Sequence, residues 1–278
     1  MTIIAISRAT RYSPNHIGND ALIYNKVIEE LCKGGHTVYP CTEEEFLQMP
    51  LPDAPVTVMT MARDERTVSR LLEWEGRGAL LVNSPRGVRN CVRLPMTELL
   101  LQHGVPHPES WIARTEESLP ADVACPCWLK RGDSHAIVRE DVCYAANRDE
   151  ADRILDAMMQ RGIPAVVINR HLQGDLVKFY GVQGDAFFHW FYPSDMGHSK
   201  FGLETVNGQT QGIPFDPCVL KRYADRAAEV LQVPVYGGDA VISSDGSIKI
   251  IDFNDWPSFA PCREEAAKAI ARRIMISR

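Results

Sequence analysis

The 278-residue chain has an ordinary globular composition, with 45% hydrophobic and 24% charged residues. These values exclude a disordered or fibrous protein, and the length allows two or three subdomains around a substantial core. The formal net charge of -6 argues against broad binding of nucleic acid or acidic membranes. We therefore expect a small-molecule ligand and no nucleic-acid partner.

Two further features bear on the cellular compartment. No apolar run approaches the roughly 20 residues of a membrane span, and in MTIIAISRATRYS no basic leader precedes the short apolar run. We expect a cytoplasmic protein with no membrane partner.

The eight cysteines are scattered, which favours free thiols. Cys125, Cys127, His135 and Cys143 match no closed four-ligand zinc pattern, and CPCWLK alternates like a strand.

Residues 1–84 alternate between apolar strands and amphipathic helices. The predicted strands are TIIAI, HTVYP, VTVMT and ALLVN, with helices over 21–31 and 67–74. This βαβ pattern predicts a Rossmann-like open parallel sheet with its ligand face at the carboxyl ends of the strands. The loop after the first strand would bring Arg8, Arg11 and His16 to that face, although an ordinary solvated loop is the alternative. No Walker loop or dinucleotide fingerprint follows any strand.

The middle of the chain changes character. From Pro95 a helix, MTELLLQHG, leads to GVPHPESW, where glycine and proline end the helix before a strand. PCWLKRGDSHAIVREDVCYA predicts two strands around a polar loop, and a helix over 149–161 and the strand AVVIN follow. GDLVKFYGV and DAFFHWFYP predict a hairpin. The polar loop over 194–211 is too long for a simple connector, so it is a candidate substrate loop. Helices over 216–231 and 262–274 complete the chain.

The hairpin GGDAVISSDGSIKIIDFNDWPS alternates like a buried element but contains acids. Asp245-Gly246 predicts a two-residue turn, which places Asp239 directly opposite Asp252, with Asn254 on the same face. A four-residue loop would instead make Asp252 the diagonal neighbour of Asp239. Either register brings two carboxylates together, which is unfavourable unless a cation lies between them.

Two interpretations of this acid pair remain open. Two carboxylates and one amide oxygen are ligands that favour a hard cation such as Mg²⁺. Alternatively, one acid caps a loop and the other pairs with Lys249 or an arginine.

The order of these parts resembles the ATP-grasp superfamily, which includes glutathione synthetase, D-alanine:D-alanine ligase, the ribosomal-protein glutamate ligases and some inositol phosphate kinases. The resemblance covers most of the chain. It rests on NSPRGVRNCVR, GVPHPES, PCWLK, INRHLQGD, VKFYGV and above all GGDAVISSDGSIKIIDFND. It implies an α/β and α+β fold with an N-terminal βαβ domain over 1–84. A linker helix and central lid subdomain would span 85–172, and a C-terminal subdomain with the metal site would span 173–278. The last two would enclose the nucleotide.

The resemblance also implies roles for individual residues. Asp239, Asp252 and Asn254 correspond to the magnesium ligands. The implied ATP contacts are Arg93, Lys130, Arg170, His171, Leu172 and Asp175. Among these, Lys130 would contact the phosphates, residues 170–172 would line the adenine, and Asp175 would accept from the ribose. For His171 a structural role is the alternative.

The remaining implied residues concern the reaction. Lys178 corresponds to a basic residue near the terminal phosphate, and Lys200 and Asn207 would bind the acceptor carboxylate or its phosphate. The chain departs from the family pattern at Arg93, Asn169 and Asp252, where lysine, glutamate and glutamate are usual.

The function implied is that of an ATP- and Mg²⁺-dependent carboxylate–amine ligase acting on small molecules or peptides. The γ-phosphoryl group would pass to a substrate carboxylate, and an amine would then displace phosphate from the acylphosphate. The alternatives are a small-molecule kinase of the same fold and a non-catalytic nucleotide-binding protein. Neither the two substrates nor the oligomeric state can be read from the sequence.

Overall fold

Three four-stranded sheets organise the chain, in a computed structural model that describes residues 1–13, 17–193, 206 and 209–276. Helices pack between and around these sheets, so the fold is the mixed α/β type expected from the sequence. In the described part of the chain, no helix is both long and apolar enough to cross a lipid bilayer.

The N-terminal sheet is parallel, with strand order β2-β1-β3-β4. Its strands are β1 (Thr2–Ile6), β2 (Thr37–Cys41), β3 (Thr57–Thr60) and β4 (Leu80–Val82). The helices between them are α1 (Ile17–Lys33), α2 (Glu43–Leu47) and α3 (Glu65–Glu75). Because the strands are parallel, the loops after β1 and β3 emerge at the same edge of the sheet and carry Arg8 and Arg63.

Two helices connect this sheet to the central one. They are α4 (Pro85–Asn90) and α5 (Arg93–Gln102). The sequence pattern did not predict α4, which begins with a capping hydrogen bond from the backbone N–H of Arg86 to the Ser84 hydroxyl and has proline in its first turn. The central sheet has the order β5-β8-β6-β7. Its elements are β5 (Ser110–Arg114), β6 (Cys127–Arg131), β7 (Val142–Ala145), α6 (Arg148–Gln160) and β8 (Ala165–Arg170).

The C-terminal sheet is antiparallel, with strand order β10-β9-β11-β12. Its elements are β9 (Asp175–Val182), β10 (Phe188–Phe191), α7 (Pro217–Leu231), β11 (Val235–Ile242), β12 (Ile248–Asp255) and α8 (Arg263–Ile276). A buried core that includes Phe179, Tyr236 and Phe253 packs one face of this sheet against α7. Lys178 therefore lies on the opposite face of β9, because side chains alternate along a strand.

The hairpin of β11 and β12 differs from both predicted registers near its turn. Ser243 donates its backbone N–H to the carbonyl of Ser247, so residues 244–246 form the loop, with Gly246 at a φ of 78°. A bulge beside Asp239 then shifts the pairing by one residue, and Asp239 lies directly opposite Asp252. The predicted opposition of the two acids is confirmed, but the bulge produces it rather than a two-residue turn.

The N-terminal and C-terminal parts share one hydrophobic core. Ile3 of β1 and Val27 of α1 are fully buried with Ile270 of α8 and Val182 of β9. This shared core holds the carboxyl edge of the parallel sheet beside the end of β12, which is where the polar residues of the candidate site lie.

Candidate active site

A cavity of about 260 Å³ lies between the central and C-terminal sheets. Its apolar walls come from Trp128, Val142, Leu172, Leu176, Val241 and Ile251. Its polar lining includes Arg93, Lys130, Asp252 and Asn169. We call it the smaller cavity. A cavity with apolar walls and buried cations suits a flat ring with an anionic tail.

Each acid of the hairpin is paired with a cation. Lys178, opposite Asp239 in the sheet, places Nζ 2.8 Å from Oδ1 of Asp239. Nη1 of Arg93, the first residue of α5, lies 3.2 Å from Oδ1 of Asp252. The arginine pairing that the sequence left as an alternative is therefore present at Asp252, whereas Asp239 pairs with a lysine that lies on a third strand.

Burial and neighbouring charges shift the pKa values of Lys130 and Asp252. Burial, with the adjacent guanidinium of Arg93, lowers the pKa of Lys130 to about 7, although Asp252 and Asp239 oppose the change. Burial by itself would raise the pKa of Asp252, but Arg93 and Lys130 lower it to about 2. Asp252 is therefore ionised at neutral pH, while Lys130 is poised to gain a proton when further negative charge arrives.

The smaller cavity has donors that the protein does not satisfy. The side chain of Arg93 is 9% exposed, and its buried Nε has no hydrogen-bond partner among the described residues. Lys130 Nζ donates only one described hydrogen bond, 3.1 Å to the carbonyl of Ile251. Because buried donors are normally paired, these two side chains indicate a site for an anionic ligand.

A second cavity, of about 520 Å³, adjoins the first and extends toward the loops after β1 and β3. We call it the larger cavity. The residues that line both cavities define the junction, namely Arg63, His135, Ala136, Lys178, Asp239 and Asn254. Asp239 of the acid pair therefore lies where the two cavities meet, and Asp252 lines the smaller cavity opposite it.

A buried charge cluster, which the sequence analysis missed, lies beside the junction. Asp255 is 1% exposed and accepts hydrogen bonds from Arg63, with Nη2 2.6 Å from Oδ1, and from Arg8 at 3.4 Å. His135, from the loop after β6, has Nε2 3.8 Å from the same carboxylate. Burial would raise the pKa of Asp255, but Arg63 and Arg8 lower it to about 2. The cluster therefore joins residues from the N-terminal, central and C-terminal parts of the chain.

One sequence signal could have found Arg63, because it follows β3 at the carboxyl edge of a parallel sheet. Arg8, expected at that edge, lines the larger cavity. Arg11 does not line either cavity and pairs with Asp64, while His16 lies outside the described residues.

Most of the sequence-predicted site residues converge on the two cavities. Arg93, Lys130, Arg170, Leu172, Lys178, Asp239, Asp252 and Asn254 all line the smaller cavity. Lys200 and Asn207, predicted to bind the acceptor, lie outside the described residues.

Two of the predicted nucleotide contacts are arranged differently. Asp175, predicted to accept from the ribose, lines neither cavity, and its 2% exposed carboxylate accepts the backbone N–H groups of Gln211 and Ile213 at 2.8 and 2.7 Å. It anchors the end of the polar loop instead. His171 accepts from Nε1 of Trp128 at 3.1 Å and does not line the cavity, as its structural alternative anticipated.

Within the described residues, the candidate metal ligands are those of the hairpin. All eight cysteines are free thiols, and the described residues contain no group of three His, Cys, Asp or Glu side chains arranged around a metal position. The candidate site offers two carboxylates and the amide of Asn254. An all-oxygen set with few protein ligands suits a cation that keeps waters and takes up phosphate oxygens.

Comparison with known proteins gives a match at the level of structure. No family model matches the sequence, and no curated protein does either. D-Alanine–D-alanine ligase from Bacillus anthracis, complexed with ATP, is 13% identical with a TM-score of 0.69 over 100% of this chain and 97% of that one. The RimK domain ATP-grasp protein from Sphaerobacter thermophilus is 17% identical with a TM-score of 0.66, over 98% and 99%.

A third similar structure is the ATP-grasp ligase PsnB, complexed with a minimal precursor, Mg and ADP. It is 19% identical with a TM-score of 0.65, over 99% of this chain and 96% of that one. At these identities the likeness establishes the fold. The chain has the ATP-grasp fold, so the resemblance drawn from its sequence is confirmed at the level of the fold.

Proposed function

We propose that this ATP-grasp chain is an ATP- and Mg²⁺-dependent carboxylate–amine ligase. The observation that carries the proposal is the junction, where a cavity lined by apolar walls and by Arg93 and Lys130 meets a larger cavity beside Asp239 and Asn254. A nucleotide and an acceptor bound in adjoining cavities would meet at the acid pair. The ligase names of similar structures favour this class over a kinase.

In this proposal the nucleotide occupies the smaller cavity. Trp128, Leu172 and Ile251 would cover the base, because aromatic and aliphatic side chains can bury a flat ring without removing polar side chains from water. Lys130 and Arg93 would contact the phosphates. The pairing of Arg93 with Asp252 orients its guanidinium toward them and keeps the carboxylate ionised.

The donor chemistry of the hairpin fits magnesium. Asp239, Asp252 and Asn254 would hold the cation, since all three offer hard oxygen ligands and the two carboxylates face each other across the ladder. Lys178 and Arg93 would keep the carboxylates oriented by hydrogen bonds to one oxygen of each. Bound magnesium would supply charge neutralisation at the phosphates.

The overall reaction proposed is ATP plus a carboxylate plus an amine giving ADP, phosphate and an amide. The γ-phosphorus–oxygen bond to ADP breaks and its electron pair leaves with ADP, while a carboxylate oxygen forms the new bond to phosphorus. The amine nitrogen then forms a bond to the acyl carbon, phosphate departs, and the nitrogen loses a proton. Lys178 and Lys130 would offset the charge of the phosphoryl group as it moves through the junction.

The test is an ADP-release assay with amino acids and short peptides offered singly and in pairs as acid and amine. The ligase reading requires that ADP release depend on both an acid and an amine, with one amide formed per ADP. Release with a hydroxyl compound and no amine would indicate a kinase. Nucleotide binding without ADP release under any pair would indicate a non-catalytic protein. Either outcome contradicts the proposal.

Nucleotide binding should be accompanied by proton uptake at Lys130. With a pKa of about 7 in the free protein, Lys130 is largely neutral at pH 8. Phosphates favour the ammonium form and raise its pKa, so binding a non-hydrolysable ATP analogue should take up ~1 proton at pH 8 and far less at pH 6. Calorimetry in buffers of different ionisation enthalpy measures this uptake.

Two matched lysine variants test whether Lys130 is the group that takes up the proton. Lys130→Met keeps the shape of the side chain but cannot titrate, so the uptake at pH 8 should vanish and binding should weaken. Lys249→Met, on β12 of the C-terminal sheet and outside both cavities, should behave like the wild type. Equal uptake in the wild type and Lys130→Met would refute the assignment.

A further inference from the structure

Arg63 lines both cavities, so its side chain can contact a ligand group at the junction. Among the six junction residues, Lys178, Asp239 and Asn254 belong to the C-terminal sheet, whereas His135 and Ala136 belong to the loop after β6. Arg63 comes from the loop after β3, and it is the one described residue of the N-terminal part that lines both cavities.

The guanidinium of Arg63 is held rigidly on one side. Nε and Nη2 lie 3.0 and 2.6 Å from Oδ1 of Asp255, and Nη2 also donates to the backbone carbonyl of Asp255 at 3.2 Å. The side chain is 11% exposed. A planar guanidinium group that is hydrogen-bonded through two of its three nitrogens has a fixed plane, so the position of the third nitrogen is determined as well.

The third nitrogen remains available. Nη1 carries two N–H donors, and within the described residues no hydrogen bond from Nη1 of Arg63 is formed. Asp255 also contacts Arg8 at 3.4 Å, but Arg8 has its own partner in Asp20 at 3.0 Å, so the bonds to Asp255 engage only Nε and Nη2 of Arg63. The junction therefore has a preoriented cationic donor pair that an oxyanion can accept from.

We propose that Nη1 of Arg63 binds the oxyanion that occupies the junction, which is the acceptor carboxylate before transfer and phosphate after it is released. This inference rests on the ligase function proposed above and adds a catalytic residue to it. Asp255 acts as the positioning residue, since it fixes the guanidinium and does not itself face the smaller cavity.

The test uses inorganic phosphate as the probe, titrated into protein saturated with Mg²⁺ and ADP. Wild-type protein should bind phosphate, and Arg63→Gln should bind it at least roughly tenfold more weakly. Arg63→Lys keeps the charge but loses the fork, so an intermediate loss is expected. The affinity for ADP with Mg²⁺ should fall by a much smaller factor than the affinity for phosphate in both variants, whereas a general structural role of Arg63 would weaken both alike.

Arg272→Gln is the matched control. Arg272 also grips a carboxylate through two nitrogens, at 2.8 and 2.9 Å from Asp185, but lines neither cavity. Its phosphate affinity should equal that of the wild type. Thermal unfolding would show whether each variant is folded. If Arg63→Gln is unfolded, the phosphate affinity of Arg63→Lys tests the role of Arg63 instead.

The outcomes separate the two proposals. Equal phosphate affinity in wild type and Arg63→Gln overturns the role of Arg63. Wild-type binding of ADP with Mg²⁺ but not of phosphate, even at about 20 mM, also overturns it while leaving the nucleotide site intact. Failure of the wild type to bind ADP with Mg²⁺ overturns the proposed ligase function itself.

Discussion

Asparagine in place of Asp252 is expected to abolish the magnesium dependence of nucleotide binding. The substitution keeps the shape of the side chain but removes an ionised carboxylate that faces Asp239 and pairs with Arg93. With Mg²⁺ present, affinity for a non-hydrolysable ATP analogue should fall by roughly 100-fold. Without Mg²⁺ affinity should not fall, because the site loses a negative charge that repels phosphate. Calorimetric titration with and without Mg²⁺ measures both effects.

Asp245→Asn supplies the control for this experiment. Asp245 lies in the exposed turn of the same hairpin, where asparagine forms turns as readily as aspartate. Its ratio of affinities with and without Mg²⁺ should match the wild type. A similar ratio in Asp252→Asn would show that Asp252 is not a metal ligand, whatever the affinity for the nucleotide.

Asparagine in place of Asp255 is expected to cause the largest loss of stability in this region. Its carboxylate is the common partner of Arg8 and Arg63, whose side chains are 5% and 11% exposed. Removing one partner of a buried ion pair leaves uncompensated charge, which typically costs about 3–5 kcal/mol. The free energy of unfolding by chemical denaturation at pH 7 measures the loss. Asp133→Asn, which breaks a half-exposed pair with Arg131, should cost less than about 1 kcal/mol.

The stability that Asp255 contributes is expected to depend on pH. The pKa of Asp255 is lower in the folded protein, at about 2, than its ordinary value of 3.8. The folded state therefore binds the proton less readily, so the stabilisation is complete above the ordinary value and is lost as the pH falls toward 2. The difference in unfolding free energy between wild type and Asp255→Asn should be constant from pH 7 to pH 5 and shrink below pH 4. A difference that did not change with pH would contradict an ionic role.

Local patterns in the sequence predicted most elements correctly. The strands of the parallel sheet and the hairpin before the polar loop follow alternation and turn signals that involve neighbours along the chain. The short helix α4 escaped prediction because its residues 85–90 contain proline and glycine, which usually indicate a turn. Its capping contacts decide the outcome instead.

The hairpin shows how far such reasoning extends. The Asp-Gly turn and the period of two brought Asp239 and Asp252 to one face in either register, so their proximity followed from sequence alone. The bulge beside Asp239 depends on packing against the neighbouring strands and has no local signature. Only the structure could show that the bulge restores the direct opposition of the acids.

The sequence by itself brought Asp239 and Asp252 to one face of a hairpin, because a turn and a period of two involve residues that are close along the chain. Its resemblance to the ATP-grasp superfamily supplied the fold and pointed to Lys130 and Lys178. The tertiary structure decided which side chains the site uses beyond these motifs. Asp175 accepts hydrogen bonds from backbone groups of residues 211 and 213, and Arg63 is held by Asp255, 192 positions away. Contacts over such separations arise only when the sheets pack together, since no local pattern encodes which distant loop will meet the end of a strand.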